Sequence, residues 1–180
     1  MDPSVFVYAV SHNPYPGTVR SLAASEQAAI SAPSNRPGST PRLEIHVVFT
    51  EWQGTRAALR AASQWARCLS GQIVLWCPQV VPHQVSLTAP PISISFLEQR
   101  LESLALACCE DLEVMVRVCL CRDEQQCLLN ALDPESVVLV GGKKHWLPTQ
   151  EQKLAAFLRS YGLRVLFIPT KENAPSTPAA

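Results

Sequence analysis

The residues with the clearest chemical potential stand together in the C-terminal third of the chain. Two glycines, Gly141 and Gly142, are followed by Lys143 and Lys144, and Thr149 stands five residues further on. Glycines let a ligand approach the backbone, lysines attract anions, and a helix that begins near Thr149 presents free N–H groups. The combination predicts a binding site for a small anion or a phosphate group. The alternative is a tight exit turn followed by solvated lysines.

A second polar pair, Thr50 and Glu51, follows the apolar run Leu43–Phe49. Because the carboxyl ends of parallel strands meet at one edge of a sheet, we expect this pair to lie near the glycines. The ligand-binding candidates are therefore Thr50, Glu51, Gly141, Gly142, Lys143, Lys144 and Thr149, and Trp146 is expected to line a crevice beside them.

Catalytic and metal-binding patterns are not found in the sequence. Neither a G-x-S-x-G elbow nor a G-x-x-x-x-G-K-[ST] loop occurs. Cys119, Cys121, Cys127 and His145 carry metal-binding atoms, but the second closely spaced Cys or His pair that is typical of structural zinc is lacking. We therefore predict no catalytic residue and no metal. The seven cysteines lie in apolar runs and are expected to be reduced and buried, and His46 is expected to be an interior histidine.

The elements that must position the candidate site follow from the hydrophobic pattern. Apolar runs predict strands at 43–50, 73–77, 112–121, 137–140 and 165–168, and segments with apolar residues every three or four positions predict a helix between each pair of strands. This alternation predicts an α/β fold with a doubly wound parallel sheet and helices on both faces. Residues 112–121 alternate between apolar and half-polar positions, which predicts a strand at the sheet edge.

Helix ends are predicted from capping residues. Ser95 with Glu98, Asp123 with Gln126, and Thr149 with Gln152 each have the spacing of a capping box. Gly71 and Gly162 are expected to follow the last turns of the first and last of these helices.

The composition indicates the extent of the domain, the partners it excludes and the cellular compartment. The chain has 180 residues, 47% of them hydrophobic, with 15 basic and 15 acidic side chains. This charge balance argues against a nucleic-acid partner, and the apolar runs are too short to span a membrane. We expect a cytoplasmic protein with one domain at 43–169, a largely disordered Pro/Ser-rich leader at 1–42 and a disordered tail at 170–180. Within the leader, Ser4–Val10 is either a strand that docks on the domain or part of the disordered arm.

The segment from Leu43 to Ile168 resembles the universal stress protein family in its element order and local texture. "SVVLVGG" resembles that family's strand that ends in a glycine turn, and "LRVLFIP" resembles its closing strand. The resemblance implies a Rossmann-like five-stranded parallel sheet of order 3-2-1-4-5 and a role in the stress response.

The family's ATP motif is degenerate in this chain. ATP-binding members carry an acidic residue that closes the first strand, and Glu51 stands one position beyond Thr50. They also carry G-x-x-G followed about nine residues later by G-[ST]. Here Lys144 or His145 occupies the second glycine position, and the next glycine, Gly162, precedes a leucine. The resemblance therefore implies a member that does not bind ATP in the family manner.

Together these features predict a non-catalytic sensing or interaction module without a cofactor. The resemblance implies a homodimer built through the edge of the last strand, at Val165, Leu166, Phe167 and Ile168. The alternative is a protein that binds ATP, AMP or a small anion, or a weak nucleotide hydrolase, using the crevice at Gly141–Thr149. A role of the proline-rich leader in docking another protein stays open.

Overall fold

The computed structural model describes residues 5–12, 43–87 and 93–170, with 5–12 described at the level of the backbone. The strands are β1 (Val5–His12), β2 (Glu44–Val48), β3 (Gln72–Val80), β4 (Val114–Cys121), β5 (Val137–Gly142) and β6 (Arg164–Pro169). The helices are α1 (Trp52–Leu69), α2 (Ile94–Cys108), α3 (Glu124–Ala131) and α4 (Gln150–Ser160). From β2 to β6, strands and helices alternate as predicted.

The described strands form one sheet of order β1-β4-β3-β2-β5-β6. The five strands β2 to β6 are parallel, and numbered from β2 their order is 3-2-1-4-5. At the centre of the sheet, Val47 of β2 lies opposite Leu75 of β3 and Leu139 of β5. The predicted doubly wound α/β fold is confirmed.

The first strand, β1, adds an antiparallel sixth member to the sheet. It pairs with β4 from Val5 opposite Cys121 to His12 opposite Val114. The prediction that 112–121 forms the sheet edge is therefore wrong: β4 is the outermost parallel strand, but β1 covers its edge. The half-polar side of β4 misled the interpretation because two of its members, Cys119 and Cys121, are buried as small apolar residues.

Two alternatives were predicted for the start of the chain, a strand that docks on the domain or part of a disordered arm. The structure shows a docked strand at Val5–His12. The disorder expected for the rest of the leader and for the tail falls on residues 1–4, 13–42 and 171–180, which lie outside the described residues.

Two apolar layers hold the sheet between its helices. On one face, α1 and α2 pack Leu59 and Leu101 against Ile45 and Val47 of β2. On the other face, α3 and α4 pack residues such as Leu158 against the opposite side of the strands. Because both faces are covered, the central strands are apolar at successive positions, and this explains the continuous runs in the sequence.

The predicted N-terminal caps agree with the structure at α3 and α4 and differ at α2. The side chains of Asp123 and Thr149 accept hydrogen bonds at the starts of α3 and α4, and Thr149 forms a full capping box with Gln152. At α2 the predicted cap Ser95 is wrong, because the helix begins at Ile94 and Ser93 accepts from the Phe96 N–H.

At the end of α1, Ser70 takes the left-handed conformation and Gly71 does not. Glycine is needed at position 71 because a side chain has no room there: a Cβ would lie 2.9 Å from the Leu43 carbonyl oxygen. Gly162 follows α4 with φ +88°, as the last turn requires. None of the described helices combines the length and the apolar composition needed to cross a bilayer.

Candidate functional site

The candidate site lies at the carboxyl ends of β2 and β5. From β2 the chain winds outward to β3 on one side, and β5 lies on the other side, so the winding reverses between these two strands. A doubly wound sheet binds ligands at such a point. A cleft of about 220 Å³ opens here, lined by Glu51, Lys143, His145, Thr149, Gln150 and Glu151.

The structure brings together some of the predicted residues and leaves others aside. Glu51, Lys143 and Thr149 line the cleft, whereas Thr50, Gly141, Gly142 and Lys144 are not among the lining residues. His145 lies within the predicted crevice range Gly141–Thr149 but was not among the named ligand-binding candidates, and the sequence reasoning missed Gln150 and Glu151. The capping box at Thr149 was the signal for the last two, because it places them in the first turn of the following helix.

Thr50 ties the two strand ends together. Its hydroxyl donates to the Gly141 carbonyl at 2.7 Å, and its backbone N–H donates to Thr55 Oγ1, in the first turns of α1, at 3.1 Å. Both groups are therefore used by the fold, which explains why this residue supports the cleft without lining it.

Gly141 is required by a neighbouring backbone. A Cβ on Gly141 would lie 1.9 Å from the Gly54 carbonyl oxygen, and a Cβ on Gly54 would lie 2.5 Å from the Gly141 carbonyl oxygen. The first turn of α1 thus packs directly on the end of β5. The contact accounts for this glycine without a ligand.

Gly142 is covered by an acidic side chain. A Cβ on Gly142 would lie 2.9 Å from both Cβ and Cγ of Glu151. Glu151 is in the first turn of α4, where a carboxylate complements the partial positive charge of the helix N-terminus. The space between Gly142 and the start of α4 is therefore occupied by the side chain of Glu151.

The backbone donors at the start of α4 are also partly used. The Thr149 N–H donates to Gln152 Oε1 at 2.9 Å, and the Gln152 N–H donates to Thr149 Oγ1 at 3.3 Å. The capping box thus removes two N–H groups from those that could bind an anion.

The charges around the cleft are mixed. The acidic residues Glu51 and Glu151 line it together with Lys143 and the exposed His145. One carboxylate oxygen of Glu51 is buried and has no hydrogen-bond partner in the part of the chain that the structure describes. Carboxylates that are not neutralised repel phosphate groups. The cleft is also smaller than the roughly 300–1,000 Å³ of typical small-molecule sites.

Trp146 lines a different depression. Its side chain is 91% exposed and stands at the end of a groove of about 410 Å³ between α4 and β6. The other walls of this groove include Pro148, Gln152, Ala155, Arg159 and Phe167. We call this depression the Trp146 groove.

The predicted dimer edge lies in β6. Val165, Leu166, Phe167 and Ile168 belong to this strand, which ends the described sheet on the side opposite β1. Leu166 is 43% exposed, and the Val165 carbonyl accepts a hydrogen bond from Arg159 Nε at 2.8 Å. The edge position is as expected, and the homodimer stays a prediction.

His46 and five of the seven cysteines are buried, whereas Cys68 is exposed and Cys108 is partly exposed, so the expectation that all seven cysteines are buried is wrong for these two. His46 is 3% exposed, and its Nδ1 accepts a hydrogen bond from Trp76 Nε1 at 2.9 Å. Burial is the main reason why its pKa is lowered to about 4. Burial likewise raises the pKa of the Cys77 thiol to about 12. Among the described residues, no group of three or more His, Cys, Asp or Glu side chains could hold a metal ion.

Comparisons with known proteins provide little information about the family or function of this chain. No protein-family model matches the chain, and no curated protein matches it. Among solved structures, a macrolide-efflux protein from Streptococcus pneumoniae is similar over 75% of this chain and 55% of its own, with 15% identity and a TM-score of 0.43. The chain thus spans little more than half of that protein, and a likeness at this level carries no inference about function.

Proposed function

We propose that this protein is a non-catalytic, homodimeric sensing or interaction module of the universal stress protein kind that does not bind ATP in the family manner. The 3-2-1-4-5 order of the parallel strands and the glycine turn after β5 support the family part of the proposal. Both are features that the family resemblance implied.

One observation carries the functional part. Glu151 covers Gly142 at the helix end where a nucleotide phosphate would lie, and Glu51 adds a second carboxylate to the same small cleft. Two carboxylates beside one lysine oppose the binding of a triphosphate, whose own charges need several cationic or N–H partners. A domain of this fold whose ligand position is filled by its own side chains is suited to acting through protein contacts.

The test is a thermal melt of the full chain in millimolar ATP, AMP or inorganic phosphate, followed by calorimetry. We expect the melting temperature to be unchanged, because a ligand that does not bind the folded state does not stabilise it. A rise in melting temperature with nucleotide concentration would contradict the proposal.

A second candidate function is the binding of a small anion or an adenine nucleotide in the same cleft. It is favoured by the position of the cleft at the reversal of winding and by Lys143 in its wall. Lys144 supplies a matched control, because it carries the same charge but does not line the cleft. If an anion binds, Lys143→Ala should abolish the stabilisation and Lys144→Ala should preserve it. Equal effects of the two substitutions would count against a defined site.

The homodimer is supported by apolar surface on the β6 side of the sheet. Leu166 of β6 is 43% exposed, and Leu147, in the loop before α4, is 59% exposed. Apolar side chains beside a free strand edge favour association with a second copy.

A further inference from the structure

The Trp146 groove has the character of a surface that binds an extended peptide. An indole that is 91% exposed stands at one end beside Pro148, and Phe167 of β6 forms part of the wall. Gln152 and Arg159, one on each side of the buried Ala155, place polar side chains along α4. Aromatic-lined grooves with a few hydrogen-bond donors are the sites that recognise polyproline II segments.

The C-terminal tail, residues 171–180, leaves the domain beside this groove. It follows Thr170, whose N–H donates to the Gly142 carbonyl at 2.9 Å. The tail therefore starts at the strand ends from which the loop carrying Trp146 also departs. Phe167 in the groove wall is three residues before Thr170 in the chain.

The tail has the sequence of a polyproline II ligand. It reads Lys-Glu-Asn-Ala-Pro-Ser-Thr-Pro-Ala-Ala, with Pro175 and Pro178 in P-x-x-P spacing. Prolines preset this conformation, which rises about 3.1 Å per residue and loses little entropy on binding.

The lengths agree. Residues 171–174 suffice to reverse the chain direction, and the four residues from Pro175 to Pro178 then cover about 9–12 Å. Gln152 and Arg159 are seven residues apart on α4, or about 10 Å along the helix axis.

We propose that the tail segment 175–178 docks in the Trp146 groove of its own chain as a polyproline II segment. Its prolines pack on Trp146 and Phe167, and the donors of Trp146, Gln152 and Arg159 face its carbonyl groups. A tether of only a few residues gives the tail a local concentration of about millimolar or more. The leader is attached at the other end of the strands, since His12 lies opposite Val114 at the start of β4, and it reaches the groove only through a longer tether.

The proposal is tested by ¹⁹F NMR of the full chain labelled with 5-fluorotryptophan. The Trp146 signal is assigned with Trp146→Phe, and its exposure is measured as line broadening by a soluble paramagnetic agent. Pro175→Ala with Pro178→Ala, or deletion of residues 171–180, should raise the broadening of this signal about twofold or more, because contact with the prolines shields the ring. The other three tryptophan signals report that the variants remain folded.

Pro37→Ala with Pro41→Ala is the matched control, because it removes two prolines from the leader and should leave the Trp146 signal unchanged. A synthetic peptide of residues 171–180, added at millimolar concentration to the shortened chain, should restore the shielding. Broadening that is equal with and without the tail overturns the proposal. Shielding that survives deletion of the tail and disappears on dilution assigns the groove to a second copy and also overturns it.

Discussion

His46 shows how one buried residue couples the fold to pH. Its ring accepts a hydrogen bond from Trp76 on one side, and its Nε2 lies 3.5 Å from Glu44 Oε2 without forming a hydrogen bond. Burial, with a smaller contribution from Arg117 and an opposing one from Asp133, lowers its pKa to about 4. Because the folded pKa lies below the unfolded value of 6.5, the unfolded chain takes up the proton first as the pH falls.

The first prediction follows from the direction of this pKa shift. The contribution of His46 to the free energy of unfolding should be complete above pH 6.5 and decline as the pH falls toward 4, by about 3 kcal/mol in total. Urea unfolding of the wild type and of His46→Asn over this pH range measures the difference, with the variant as the control for the carboxyl groups that also titrate. An NMR titration midpoint near 6.5 for the His46 ring would contradict the account.

The second prediction concerns the two glycines that follow each other at the end of β5. Gly141→Ala should cost about 3 kcal/mol, because the new Cβ meets the Gly54 backbone, which has no room to move. Gly142→Ala should cost less, about 1–2 kcal/mol, since its Cβ meets Cβ and Cγ of Glu151, which can move with the start of α4, and not a backbone carbonyl. Denaturant unfolding of both variants checks the contrast. Equal costs would show that the Gly54–Gly141 contact is not the reason for the glycine.

At the level of the elements, the sequence predicted most of the architecture because the parallel strands are buried on both faces. Apolar runs such as 137–140 are unambiguous in that setting. The short strand Val5–His12 was left open, because its partner β4 lies more than 100 residues away and local pattern carries no record of such pairing. The alternation in β4 was misread because Cys119 and Cys121 were counted with the polar side of the strand, although both are buried.

The candidate site was predictable in position but not in chemistry. Glu51, Lys143 and Thr149 could be placed at the sheet edge from the strand ends alone. The role of Gly141 could not, because it depends on the approach of Gly54, 87 residues earlier in the chain. The position of Glu151 over Gly142 likewise depends on how α4 packs, so the sequence could only indicate that a glycine turn faces a helix start.

The third prediction tests the start of α2, where sequence and structure differ. Ser93→Ala should lower the free energy of unfolding by about 0.5–1 kcal/mol, because Ser93 accepts from the Phe96 N–H. Ser95→Ala, at the position that sequence spacing favoured, should change it by a few tenths of a kcal/mol at most. Thermal or urea unfolding measures both, and a larger loss for Ser95→Ala would restore the sequence-based cap.

At the scale of the whole molecule, the described sheet has two outer strands, β1 and β6, with different surroundings. The exposed apolar side chains of Leu147 and Leu166 lie on the β6 side, and this is where we propose that a second copy binds. Leu166→Lys should therefore weaken the proposed dimer, because a charge within an interface is costly to bury. Leu69→Lys, on α1 at 58% exposure, is the matched control and should leave the dimer intact.

Native mass spectrometry of the freshly purified full chain tests the central claim most directly, since it reports subunit number and retained small molecules together. The account predicts a complex of two 19.7 kDa chains without added nucleotide mass, and single chains for Leu166→Lys. Single chains in the unmodified protein, or two chains that each retain a nucleotide, would contradict it.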